Sequence, residues 1–157
     1  MPSDESGRSS ANGGNRTPSL GLLPTLLGYH LRRAQVAAFQ NFAEYVGASD
    51  LTPGQFGVLV VIDANPGLSQ TRLGSALGID RSTVVAVIDR LEGRGLVVRR
   101  PSPHDRRSHA LHLSENGNAA LKRVTERVRA HEKIIAGDLS DAEVATLVAL
   151  LDRVARG

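Results

Sequence analysis

Seven arginines lie between residues 81 and 113 of this 157-residue chain and carry its excess positive charge. They are Arg81, Arg90, Arg94, Arg99, Arg100, Arg106 and Arg107. Only three acidic residues share this stretch, which has a net charge of +4, whereas the remainder of the chain has a net charge of −1. Guanidinium groups bind phosphate oxygens and the acceptor atoms of guanine. This charge distribution therefore indicates a nucleic-acid-binding surface.

The stretch from Ser69 to Gly95 predicts two short helices joined by a tight turn. Ser69 is the predicted N-cap of the first helix, which ends at Gly78. Asp80 is the predicted N-cap of the second, so only Gly78, Ile79 and Asp80 separate them. A short turn containing glycine is typical of the helix-turn-helix motif.

The second of these helices is predicted to bury one side and to contact DNA with the other. Helical spacing predicts the buried residues Val84, Val85, Ile88 and Leu91, together with Leu73, Ala76 and Leu77 of the preceding helix. Small residues allow close approach to a groove, and hydroxyls and guanidiniums hydrogen-bond base edges or phosphates. The predicted DNA-binding residues of this helix are Arg81, Ser82, Thr83, Ala86 and Arg90.

Two short strands are predicted after this helix, at 96–100 and 108–113, from their alternating residue pattern. The loop between them, 101–107, is too long for a tight hairpin and carries Arg106 and Arg107. The negative potential of a narrow minor groove attracts guanidinium groups, so these two arginines are predicted to bind DNA. The whole pattern predicts a winged helix-turn-helix.

The segments on either side of the winged helix-turn-helix, which we call the reading head (about 51–113), predict longer helices. Capping boxes begin helices at Thr52 and Ser140, and Ser114 caps another, whose apolar stripe contains Leu121, Val124, Val128 and Ile135. The helices at about 22–46 and 114–155 have more apolar surface than the small head can cover. They are therefore predicted to dimerise the chain.

We therefore expect a mainly α fold with a small β wing. A single domain is predicted over 20–157, with the winged core at about 51–113, and residues 1–19 are predicted to form a disordered arm.

The composition excludes several classes of protein. The chain has no cysteine, which excludes disulfides and zinc–cysteine sites and fits a reducing cytoplasm. It has neither a hydrophobic signal core nor an apolar run of about 18 residues, so no membrane association is expected. No nucleophile elbow, phosphate-binding loop or HExxH motif is present, which argues against an enzyme. We expect no cofactor and no metal, and we expect His104, His109, His112 and His131 to face solvent or phosphate.

Three segments together resemble the MarR family of bacterial transcription regulators. They are LTPGQFGVL at 51–59, LGIDRSTVVAVIDRLEGRGLVVRR at 77–100 and HDRRSHALHLSENG at 104–117. The resemblance covers about 20–154, and its most discriminating part is the Asp-x-Arg pattern at 105–107. A Leu-Ser pair at 113–114 stands where the family usually has Leu-Thr.

The resemblance implies a homodimer whose two winged heads read the halves of a pseudo-palindromic site in double-stranded DNA. Arg107 occupies the family's wing-arginine position, and Arg106 is a neighbour able to share its role. Asp105 would position the wing, by pairing with an arginine such as Arg94. Repression is the commonest outcome in the family, while activation and architectural DNA binding without a ligand remain alternatives.

The resemblance also implies a small-molecule effector, bound between the reading head and the dimerisation helices. The first helix supplies the candidate ligand-binding residues Tyr29, His30, Arg32, Arg33 and Phe42. A phenol, an imidazole and two guanidiniums suit an anionic aromatic compound or a bulkier acyl thioester. The alternative is that Arg32 and Arg33 are exposed or pair with acids across the dimer.

Overall fold

The computed structural model describes residues 17–47, 51–101 and 109–156 and confirms the predicted fold class, mainly helical with a small sheet. Its contacts group into two compact units, residues 1–34 and 35–157, so the single domain at 20–157 stays a prediction. A short 3-10 helix, Leu23–Thr25, precedes α1, Leu27–Tyr45, which spans the unit boundary. The second unit continues with α2 (Pro53–Ala64), β1 (Leu68–Ser69), α3 (Gln70–Leu77), α4 (Arg81–Gly93), β2 (Val97–Pro101), β3 (His109–Leu113), α5 (Glu115–Ala136) and α6 (Asp141–Arg156).

The sheet has three antiparallel strands with β3 in the centre. Leu111 of β3 is paired with Leu68 on one side and with Arg99 of β2 on the other. The two predicted strands are confirmed, and β1 is an additional strand. The sequence did not predict β1 because two residues are too few to show the alternation that identifies a strand.

The predicted helix caps are formed as expected. Thr52 Oγ1 accepts a hydrogen bond from the Gln55 amide at 3.2 Å, and Gln55 Oε1 accepts from the Thr52 amide at 3.1 Å, which completes a capping box. Ser140 and Glu143 form the second box. The remaining predicted caps that accept a backbone N–H are Ser69, Asp80 and Ser114.

The core of the second unit lies among α2, α3, α4, α5 and the sheet. Its largest fully buried side chains include Leu59, Ile62, Leu73, Ile88, Leu91 and Leu111. These aliphatic residues pack in one cluster and supply most of the apolar burial that stabilises the fold. None of the described helices is both long and apolar enough to cross a membrane.

The structure corrects four details of the predicted core. Val87, rather than Val85, is the additional valine of α4 that packs against the core, while Ala76 of α3 is exposed. Ile135 is 41% exposed, whereas His131 is only 2% exposed and does not face solvent. The apolar stripe of α5 is buried only as far as His131, because the last turn of this helix extends past the core.

Gly117 packs against the reading head without space for a side chain. Leu96 O, at the start of the wing, accepts a hydrogen bond from the Ser114 amide at 3.0 Å. A Cβ atom added at Gly117 would lie 2.0 Å from this carbonyl oxygen. The first turn of α5 therefore requires glycine at this position.

We predict that Gly117→Ala destabilises the fold by about 2–4 kcal/mol, because α5 or the start of β2 must shift to relieve the overlap. Urea unfolding measures this loss. Gly93→Ala is the matched control, since a Cβ there meets nothing within 4 Å. A Gly117→Ala variant as stable as the Gly93→Ala variant would contradict the close packing.

Candidate nucleic-acid interface

The helix-turn-helix packs tightly enough to fix α4 against α3. Gly78 has a φ of 63°, the left-handed conformation that glycine adopts without strain, and it ends α3. A Cβ added at Gly74 would lie 3.0 Å from Ile79 O and 3.1 Å from Val84 Cγ2. The two helices therefore meet with little space for larger side chains.

The inner face of α4 is buried and its outer face is open. Val84, Ile88 and Leu91 lie in the core. All five predicted DNA-binding residues of this helix are exposed: Arg81, Ser82, Thr83, Ala86 and Arg90. Arg81, Ser82 and Ala86 line a shallow concave surface together with Val85 and Asp89. The contact of these residues with DNA stays a prediction.

Asp80 organises the two hydroxyls at the start of α4. Its carboxylate accepts hydrogen bonds from Ser82 Oγ, from Thr83 Oγ1 at 2.6 Å and from the Thr83 amide at 2.9 Å. These bonds, the one from the Ser82 side chain foremost, hold the pKa of Asp80 well below its usual value. Because both hydroxyl hydrogens are donated to Asp80, the two oxygens can act toward DNA only as acceptors. In the major groove the matching donors are the amino groups of adenine and cytosine.

We predict that the Asp80 cap makes the stability of the protein dependent on pH only under acidic conditions. A depressed pKa contributes stability above the ordinary carboxyl pKa of 3.8, and this contribution is lost as the pH falls further. Asp80→Asn still caps the helix but does not titrate. The difference in unfolding free energy between the two proteins should be constant above about pH 5 and should shrink below about pH 4. A constant difference down to about pH 2.5 would contradict this role.

The arginines of the basic stretch do not share one function. Arg99 of β2 forms ion pairs with Asp89 and Glu92 of α4, so it is engaged within the protein. Arg94 is the C-cap residue of α4. The three predicted wing residues Asp105, Arg106 and Arg107 lie outside the described residues, and their roles, including the pairing of Asp105 with Arg94, stay predictions.

Four predicted ligand-binding residues lie in the first unit. The guanidinium carbon of Arg33 is 5.6 Å from the centre of the Tyr29 ring, a cation–π contact. His30 Nε2 lies 2.8 Å from Pro24 O, and Arg32 is exposed. In the second unit, Phe42 is buried and packs edge to face against His131, with ring centres 5.5 Å apart. Binding of a ligand by these five residues stays a prediction.

A groove of about 560 Å³ lies between α2 and α5, and none of the predicted ligand-binding residues lines it. Phe56, Val60 and Leu121 give it an apolar surface, Lys122 and Arg129 supply positive charge, and Asp63 and Glu126 supply negative charge. The family resemblance implies a ligand site between the reading head and the dimerisation helices, but the sequence did not identify the residues that line this groove. Its two walls are about 60 positions apart in the chain, and neither contains a local motif. In the described part of the chain, no group of three histidine or acidic side chains is arranged to hold a metal ion.

This arrangement, a helix-turn-helix followed by a strand pair with the outer face of α4 open, defines a winged helix-turn-helix protein of the DNA-binding class. The MarR family model matches residues 49–108. The putative transcriptional regulatory protein for the hcr operon of Thauera aromatica is 47% identical over 131 residues, which are 83% of this chain and 79% of the relative. The chain belongs to the MarR family.

Two solved structures of the transcriptional repressor CouR are similar to this chain. CouR bound to a 23-mer DNA duplex is 44% identical, with a TM-score of 0.84 over 89% of this chain and 99% of that chain. CouR bound to p-coumaroyl-CoA is 43% identical, with a TM-score of 0.81 over 88% of this chain and 97% of that chain.

Proposed function

We propose that the chain is a homodimeric transcriptional repressor that reads a pseudo-palindromic operator in double-stranded DNA and is released by an anionic aromatic or acyl effector. It acts on the nucleoid in the bacterial cytoplasm. The proposal is supported foremost by the two faces of α4. One face is buried in the core, and the other exposes Arg81, Ser82, Ala86 and Arg90. The similarity to CouR bound to DNA supports the same use of this face.

In the proposed complex α4 lies in the major groove and α3 crosses the DNA backbone, as in other helix-turn-helix proteins. A second concave surface between α3 and the turn fits this geometry, because polar residues line it. Gln70, Thr71 and Ser75 face this surface from α3, and Arg81 borders it from α4. These groups suit phosphate oxygens, whose contacts set the orientation of a protein on DNA.

The apolar surface of α6 supports the homodimer. No residue of this 16-residue helix is buried within the chain. Its exposed apolar residues include Leu147, Val148, Leu150, Leu151 and Val154. An apolar stripe of this length on one helix marks an interaction surface. A second copy would cover it symmetrically and would place two reading heads at a fixed spacing.

The groove between α2 and α5 supports the effector class. Its apolar residues suit an aromatic ring or acyl chain. Lys122 and Arg129 suit an anionic group, which would have to approach these two cations rather than Asp63 and Glu126 in the same lining. The binding of p-coumaroyl-CoA by CouR, which is 43% identical to this chain, supports an aromatic acyl thioester.

DNA reading is tested by retaining fragmented genomic DNA on the purified protein and sequencing it. We expect inverted repeats upstream of a few genes.

Arg90→Ala should lower the affinity for such a repeat by about tenfold. The double variant Arg106→Ala with Arg107→Ala should fold and dimerise but bind weakly, with a shallower salt dependence. Arg123→Ala, an exposed charge on α5, should change little.

Two outcomes would contradict this reading. Uniform recovery of DNA without a shared repeat would mean that binding depends on phosphates alone, as in an architectural protein. A sedimentation mass of one chain would exclude the dimer.

The effector is tested by adding p-coumaroyl-CoA to the protein–operator complex. We expect the ligand to release the DNA. Lys122→Ala with Arg129→Ala should raise the ligand concentration required by about tenfold, because an anionic group loses both cations, while DNA affinity without ligand stays the same. Lys133→Ala is the control, since this residue does not line the groove. Tighter DNA binding with ligand, or an equal effect of Lys133→Ala, would contradict the proposal.

A further inference from the structure

One guanidinium joins three elements of the reading head. Arg99 of β2 donates hydrogen bonds to Asp89 and Glu92, both on α4. With its amide oxygen turned toward Arg99, Gln70 of α3 accepts from Nε at 3.0 Å and from Nη2 at 3.1 Å. The Arg99 side chain is only 20% exposed, so it lies largely beneath its partners.

The partners of Arg99 lie beside the surface proposed to read DNA. Asp89 and Glu92 are three residues apart and therefore adjacent on one side of α4. Asp89 also borders the concave outer surface that contains Arg81 and Ala86. The contacts of Arg99 therefore couple the positions of β2 and α3 to the helix that carries the predicted base contacts.

A guanidinium suits this position better than an ammonium. Its fixed planar fork can hold two carboxylates and an amide at defined angles, whereas a lysine ammonium is a compact charge on a flexible stem. Lysine at this position retains the positive charge but cannot reproduce the four donor directions that Arg99 uses. The geometry and the charge of Arg99 can thus be tested separately.

We propose that Arg99 is a positioning residue for DNA recognition, which fixes the orientation of α4 on β2 and α3 and thereby sets base specificity without contacting DNA. The proposal rests on the proposed DNA-reading function. Since the guanidinium is directed at Asp89, Glu92 and Gln70, it is not available to bind phosphates. Its effect on recognition is exerted through α4.

The experiment compares Arg99→Lys with Arg100→Lys, a matched change at an exposed arginine in the same strand. The probes are a duplex that the wild-type protein selects from a randomised library and a scrambled duplex of the same composition. The measured quantity is the specificity ratio, which is the Kd for the scrambled duplex divided by the Kd for the selected duplex. Arg99→Lys should lower this ratio by about tenfold or more, while Arg100→Lys should leave it within about twofold of wild type.

This ratio separates positioning from a general structural role. Partial unfolding lowers the active fraction and weakens both duplexes equally, so it leaves the ratio unchanged. Circular dichroism and thermal melting establish the temperature at which all variants are folded. An Arg99→Lys ratio within about twofold of the wild-type ratio would overturn the proposal.

A triple variant, Arg99→Met with Asp89→Asn and Glu92→Gln, separates positioning from charge neutralisation. It contains no unpaired carboxylate but also lacks the guanidinium contacts. The positioning role requires its ratio to remain low, and recovery of the wild-type ratio would show that Arg99 only neutralises its partners. If the wild-type protein selects no duplex, the proposed function fails and this proposal fails with it. If the wild-type protein selects a duplex and Arg99→Lys has the same ratio of Kd values, only the positioning role is excluded.

Discussion

The burial of one face of α4 is the constraint on which the reading head depends. Val84, Ile88 and Leu91 are each at most 1% exposed. Burying a side chain of this type contributes about 1.5–3 kcal/mol, so three of them hold the helix firmly in the core. The outer face can therefore carry small, polar and charged residues, since stability does not require it to be apolar. Tight packing against Gly74 of α3 and the ion pairs of Arg99 limit how α4 can rotate.

The parts of the fold that the sequence predicts best are those that local chemistry determines. Ser69, Asp80 and Ser114 each accept the backbone hydrogen bond that their position before a helix predicts. Gly78 has the positive φ that the helix-turn-helix requires. Each of these features depends on a few consecutive residues, so the sequence contains the whole signal. The outer face of α4 was predictable for the same reason, because helical periodicity separates it from the core.

The features that the sequence did not predict depend on contacts between distant segments. Val85 and Val87 both lie at the edges of the apolar stripe, and only the position of the neighbouring helices decides which one is buried. His131 is polar, yet it is buried against Phe42, about 90 positions earlier in the chain. The lining of the groove between α2 and α5 is likewise determined only by the packing of these two helices. Within the described residues, neither ring nitrogen of His131 has a hydrogen-bond partner.

α5 connects the proposed effector groove with the reading head and the proposed dimer. Its first turn is packed against Leu96, its middle forms one wall of the groove, and its last turn exposes Ile134 and Ile135. These three regions lie on one continuous helix of 22 residues, so under the proposed function a change of its angle would affect all of them. A ligand can nevertheless shift the protein between two head spacings only by the difference in its affinity for them. Under the proposed function, tight binding alone is therefore insufficient for induction, and the groove must change shape with head spacing.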